Sequence, residues 1–226
     1  MNVLLAGQKW FGAEVYKRLS VLPGVNIAAV SAPVGDEKED RLTFRANYDR
    51  LPVVPAGMLN AANMPDGIDL IVAAHSHDFI GEKTRFRAKF GGIGYHPSLL
   101  PLHRGRDAVR WAIRMGDRVT GGSVYRLSNK MDGGNVLAQE HVFVRPDDTA
   151  EELWRRDLAP LGVELLAYVV ARFAKEGFVN GEPQDEKLAT WEPSIGRPPA
   201  FRPDLIMVPY YGEVKQCQDH QKNQQN

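Results

Sequence analysis

Cysteine is nearly absent: Cys217 is the single thiol in 226 residues. A lone cysteine forms no intramolecular disulfide, so the fold must rest on a hydrophobic core, and the chain reads as cytoplasmic. Net charge is lacking as well, because 28 basic residues balance 28 acidic ones. Without a field of one sign, neither nucleic acid nor a membrane surface is expected as a partner. Long apolar runs are also missing. None approaches the ~18 residues of a membrane-spanning helix, and the opening MNVLLAGQKWFG has no basic leader or extended apolar stretch. Finally, GQKWFG lacks the GxGxxG spacing of a dinucleotide-binding turn.

What is present is an ordinary globular composition, 43% hydrophobic and 25% charged, enough for a full core. Short apolar runs (NVLLA, VNIAAVSAP, PVV, DLIVAAH) are continuous rather than alternating, as expected of strands buried on both faces. Helix-like segments separate several of them, Glu14 to Leu22 being the first, which predicts an α/β protein with a parallel, doubly wound sheet. Further on, GGSVYRLS and NVLAQEHVFV alternate and are joined by the turn-rich NKMDGG, the pattern of two paired strands. An apolar stripe through Leu153, Leu158, Leu161, Leu165, Leu166 and Val169 predicts a long helix, capped by Asp147 or Asp148 and ended by Gly177. The expected organisation is a main unit over 1–180, a short extension over 181–212 and a disordered polar tail over 213–226.

Ligands of open α/β sheets sit beyond the carboxyl ends of the strands. Three segments meet that condition: GQKWFG, HSHDFIG and YHPSLLPLHRGRD, with the MDGG turn as a fourth candidate. His96 stands where a strand gives way to a proline-bracketed loop, which suits an imidazole fixed at a cleft or a histidine bonded beneath a loop. Asp132 before two glycines reads as a turn residue, or as a carboxylate that orients a histidine. His75 and His77 share one face of an extended chain, but no third ligand accompanies them, so no metal is expected. Arg104, Arg106 and Arg110 read as a solvated helix flank in preference to an anion site.

The segments GGIGYHPSLLPLHRGRDAVRW, MGDRVTGGSVYRLSNKMDGGNVLAQ and RPDDTAEELWRRDLAP resemble, in that order, the formyltransferase family. Within it, GQKWFGAEVYKRL and the YHPSLLP strand are most similar to the N-terminal hydrolase domain of 10-formyltetrahydrofolate dehydrogenases. The resemblance implies a Rossmann-like formyltransferase fold, a mostly parallel sheet with helices on both faces. It also implies 10-formyltetrahydrofolate as formyl donor, with His96 and Asp132 at the reacting centre. Asp78, Phe79 and Ile80, with Gly134, Asn135 and Val136, would line the pterin pocket, largely through backbone groups. One departure stands out: the family motif Asn-x-His reads Gly94-Tyr95-His96 here. A side-chain donor to the developing oxyanion is therefore missing, a loss that typically costs about 10²- to 10³-fold in rate. Strand alternation turns Tyr95 away, so a water, His77 or Asn129 is expected to supply the bond. The resemblance leaves three functions in play: formyl transfer to an amine of a small molecule, hydrolysis to formate and tetrahydrofolate, and a catalytically weak folate-binding module. It leaves open whether the C-terminal extension packs on the core or serves a homodimer.

Overall fold

The computed structural model describes residues 1–35, 39–76 and 78–195. His77 and the polar tail with Cys217 lie outside the described residues. The elements run β1 (Asn2–Gly7), α1 (Lys9–Ser20), β2 (Asn26–Ala32), α2 (Arg41–Tyr48), β3 (Val53–Pro55), β4 (Leu70–Ala74), α3 (Glu82–Arg85) and β5 (Gly92–His96). They continue with α4 (Ala108–Met115), β6 (Val119–Arg126), β7 (Val136–Phe143), α5 (Ala150–Leu153), a π-helical turn (Trp154–Leu158) and α6 (Ala159–Glu176). Seven strands form one sheet in the order β3-β2-β1-β4-β5-β6-β7. The first five pair in parallel, while β6 and β7 run antiparallel as the hairpin that the alternating segments predicted.

The continuous apolar runs have the expected cause. Val3 and Leu5 of β1 enter a core with Phe11, Val15 and Leu19 of α1 and Leu166, Val170 and Phe173 of α6. Leu4 and Ala6, pointing the other way, enter a second core with Leu59, Met64, Ile68 and Ile80. Burying a large aliphatic side chain contributes about 1.5–3 kcal/mol, so a strand with apolar residues on both faces is held from both. The glycines of GQKWFG serve this packing: a Cβ on Gly12 would lie 3.1 Å from Leu42 and 3.3 Å from the Gly7 backbone. Helix α1 accordingly starts at Lys9, five residues before the predicted Glu14.

The predicted long helix differs in two respects. Its cap is Thr149, whose hydroxyl accepts from Glu152 N–H while the Glu152 carboxylate accepts from Thr149 N–H, a reciprocal capping box. Asp148 instead accepts from Arg145 N–H and pairs with Arg156. The helix is also interrupted by the π-helical turn just before Pro160. Proline has no N–H to close an α turn, and the wider turn accommodates that loss. There the carbonyl of Leu158 accepts the Tyr95 hydroxyl at 2.6 Å.

Candidate active site

The two residues expected at the reacting centre, His96 and Asp132, meet where β5 ends. His96 is its last residue, buried, with 6% of its surface exposed. Its Nε2 lies 2.7 Å from the backbone carbonyl of His103. A carbonyl only accepts, so Nε2 carries the proton and Nδ1 is the nitrogen turned to Asp132. Nδ1 faces Oδ2 of Asp132 at 3.7 Å. That separation is too long for a direct hydrogen bond, yet a small molecule with N–H or O–H groups placed beside both could donate to either.

Asp132 sits in the turn after β6 with φ at +50°, a left-handed conformation that aspartate tolerates, and Gly133 and Gly134 follow it. Its carboxylate accepts the Tyr125 hydroxyl on Oδ1 at 2.6 Å and Gly105 N–H on Oδ2 at 2.8 Å. Burial first, and the adjacent Asp132 charge second, hold the Tyr125 pKa well above its ordinary value, so the phenol remains a donor. Gly105 approaches so closely with φ at +106° that a Cβ there would be 3.1 Å from Trp191 Nε1. The structure thus brings His96 and Asp132 together.

The loop carrying His103 to Gly105 is bound by residues 182–195. Thr190 accepts His103 N–H on its hydroxyl and Arg104 N–H on its carbonyl, while Thr190 N–H donates to Pro101. The Gln184 amide nitrogen donates to the carbonyls of Asp132 and Gly134, both at 2.7 Å, and its oxygen accepts from Arg104. Arg104 is therefore buried and paired with Gln184 and Glu186, not part of a solvated flank. The His103 ring lies between two carboxylates. Nε2 donates to Asp117 at 2.7 Å, and Nδ1 stands 3.2 Å from Glu192, within ion-pair distance though not aligned as a hydrogen bond. Burial works against the charged ring, but Glu192 and Asp117 outweigh it and raise its pKa.

The remaining predicted positions divide. The space above Gly94 is tight for a side chain: a Cβ there would meet Leu127 at 3.1 Å and the Tyr125 ring at 3.3 Å. Tyr95 does point away, to Leu158. Both ends of the Asn129 amide are engaged, its oxygen accepting from Arg85 at 2.6 Å and its nitrogen donating to Glu82 at 2.7 Å. The Asp78 carboxylate accepts from Ser31 and from Gly57 N–H, which ties two loops together. Phe79 is 77% exposed, whereas Ile80 is buried in the second core. In the other half of the predicted pterin pocket, Gly134 C=O accepts from Gln184 and Asn135 C=O from Arg126. Val136 N–H and C=O both bond Glu182. Among the described residues, no group of three or more His, Cys, Asp or Glu is placed to hold a metal ion. Sequence reading missed Tyr125, His103, Gln184 and Glu192, since their partners lie on distant segments.

Residues 58–170, which include β5, His96 and Asp132, match the Formyl transferase family. The chain belongs to the formyl transferase family. Mitochondrial 10-formyltetrahydrofolate dehydrogenase of Mus musculus is 34% identical in an alignment 202 residues long that covers 85% of this chain and 22% of that protein. This formyl transferase family member thus spans about a fifth of the length of the curated relatives it matches. Among solved structures, phosphoribosylglycinamide formyltransferase from Bacillus halodurans superposes with a TM-score of 0.65 at 21% identity, covering 79% of this chain and 97% of that one. An N-formyltransferase from Helicobacter canadensis, solved with folinic acid and dTDP-3-aminofucose, gives 0.68 at 18% identity, covering 84% and 69%. Both likenesses concern the fold: a mostly parallel seven-stranded sheet with helices, as the resemblance implied.

Proposed function

We propose that this protein transfers the formyl group of 10-formyltetrahydrofolate to an amine of a small molecule. The observation that carries the reading is the 3.7 Å gap between His96 Nδ1 and Asp132 Oδ2, lying within the region matched to the family. On this reading, the amine attacks the formyl carbon and its proton passes to Asp132, directly or through water. His96, protonated on Nδ1 as well as Nε2, donates to the formyl oxygen as negative charge gathers there. The bond from formyl carbon to folate nitrogen then breaks, and that nitrogen takes a proton. On this reading the folate would stack on the ring of Phe79 beyond β4, a flat apolar face that is exposed. With carbonyls of residues 134 and 135 and both backbone groups of Val136 already bonded, residues 78–80 would carry most of the pterin contact.

Hydrolysis is a second reading, favoured by two observations. Gly94 removes a donor from the oxyanion site, and the relatives at 34% identity are named 10-formyltetrahydrofolate dehydrogenase. In that case water replaces the amine and formate leaves. Incubating the purified protein with 10-formyltetrahydrofolate, with and without a panel of amino sugars, amino acids and nucleotide precursors, tests both. Tetrahydrofolate release that requires an amine supports transfer. Equal tetrahydrofolate and formate without any amine supports hydrolysis. Absence of both turnover and folate binding would sink the two readings together.

A further inference from the structure

The register of β5 against β6 sets Tyr125 directly opposite Gly94, so both face the side of the sheet on which His96 stands. A Cβ at position 94 would lie 3.3 and 3.4 Å from Cε1 and Cζ of Tyr125, and 3.1 Å from Cδ2 of Leu127. The room a side chain at 94 would need is filled from the neighbouring strand. The filling group is a phenol, and its hydroxyl donates to Asp132 Oδ1 at 2.6 Å. With Gly105 N–H on Oδ2, the carboxylate is pinned through both oxygens, leaving Oδ2 opposite His96. A charge-assisted O–H···O⁻ bond of this length is among the stronger contacts a buried site offers.

We propose that Tyr125 is a positioning residue: packed against Gly94, it acts through Asp132 to hold Oδ2 towards His96. What the site does rests on the formyl-transfer reading; how Asp132 is held rests on the geometry alone. Two relations follow. Gly94 and Tyr125 are a coupled pair: a side chain at 94 presses on the Tyr125 ring and on Leu127, which must each give by a few tenths of an ångström. The hydroxyl, rather than the ring, matters for turnover.

Tyr125→Phe keeps the ring and removes the donor. Its kcat for 10-formyltetrahydrofolate turnover is expected to fall about 10- to 100-fold, the factor for one hydrogen bond to a charged group, with KM for the folate little changed. In the free protein, the His96 ring titration followed by NMR should move upward. Asp132 without its donor concentrates more charge beside the imidazole and stabilises its protonated form. Replacing Tyr125 with 3-fluorotyrosine, a stronger donor of the same shape, should move that titration downward; this reading remains available should the Phe variant not fold. A His96 titration unmoved by these replacements overturns the proposal, as does unchanged kcat in an active wild type. No turnover by the wild type would remove the folate reading, and the His96 titration would then decide the role of Tyr125 by itself.

Discussion

The backbone carbonyl of His103 accepts the Nε2 proton of His96 at 2.7 Å, while the His103 ring is held between Asp117 and Glu192. The orientation of the central imidazole is therefore set from behind, by a loop residue that is itself fixed by two carboxylates. Asp132 does a different task. Its Oδ2 faces Nδ1 of the ring at 3.7 Å, the gap in which the proposed nucleophile would stand. Glu192 and Gln184 come from the last described segment, so residues 182–195 help support the site.

Removal of either reacting group should affect chemistry more than folding. His96→Ala and Asp132→Asn are each expected to lower kcat by about 10²- to 10⁴-fold, the usual contribution of a positioned acid or base. Each also disturbs a buried partner, at about 1–3 kcal/mol: His96→Ala leaves His103 C=O without its donor, and Asp132→Asn, whose amide keeps one accepting oxygen, can accept only one of the Tyr125 and Gly105 donors. Folate turnover and denaturant melts on the same samples separate the two effects. Turnover within tenfold of wild type in His96→Ala would remove His96 from the mechanism.

The pairing of His103 makes stability depend on pH. Its folded pKa is raised above the ordinary value of about 6.5. The stabilisation is therefore complete below the unfolded value and is lost as pH rises through the raised folded value. The stability advantage of wild type over His103→Gln should be largest near about pH 6 and shrink above neutrality. Denaturant midpoints measured across that range check it, and a constant difference would mean that the ring is neutral between its two carboxylates.

Much of the fold was legible because each buried strand writes its environment into consecutive residues. NVLLA and DLIVAA read as strands buried on both faces, and the two alternating segments around MDGG read as a hairpin. Local signals failed where tertiary partners decided. Asp148 has the side chain of a helix cap, but Arg156 and Arg145 N–H engage it and Thr149 caps instead. Arg104 sits in a charged loop, yet Gln184 and Glu186, eighty residues on, take it into the interior. The motif placed His96 and Asp132 together. It was silent on Tyr125, whose role depends on a cross-strand register that no local pattern encodes.

Gly94→Asn, which on sequence alone would restore a donor, should instead damage the protein. The new side chain enters a space already held by Leu127 and Tyr125. Overpacking of this kind costs about 1–3 kcal/mol, and displacement of Tyr125 releases Asp132. Lower thermal stability together with lower kcat is the expected result. A variant as stable as wild type and faster would show that the site has room for the amide and that Tyr125 yields to it.

Gln184 and Glu186 offer a matched comparison for the role of residues 182–195. Both contact Arg104, but Gln184 also donates to the carbonyls of Asp132 and Gly134, whereas the Glu186 side chain is 51% exposed. Truncating an exposed ion-pair partner costs about 0–1 kcal/mol, so Glu186→Ala should be mild in stability and silent in turnover. Gln184→Ala removes two hydrogen bonds from the turn that presents Asp132, at about 1–3 kcal/mol. It lets the carboxylate drift from His96, and even a small displacement of a reacting group lowers kcat by about 10- to 100-fold. Equal effects of the two variants on kcat would mean that this segment braces the loop through Arg104 alone. A selective loss in Gln184→Ala would make its amide part of the apparatus that sets the His96–Asp132 separation.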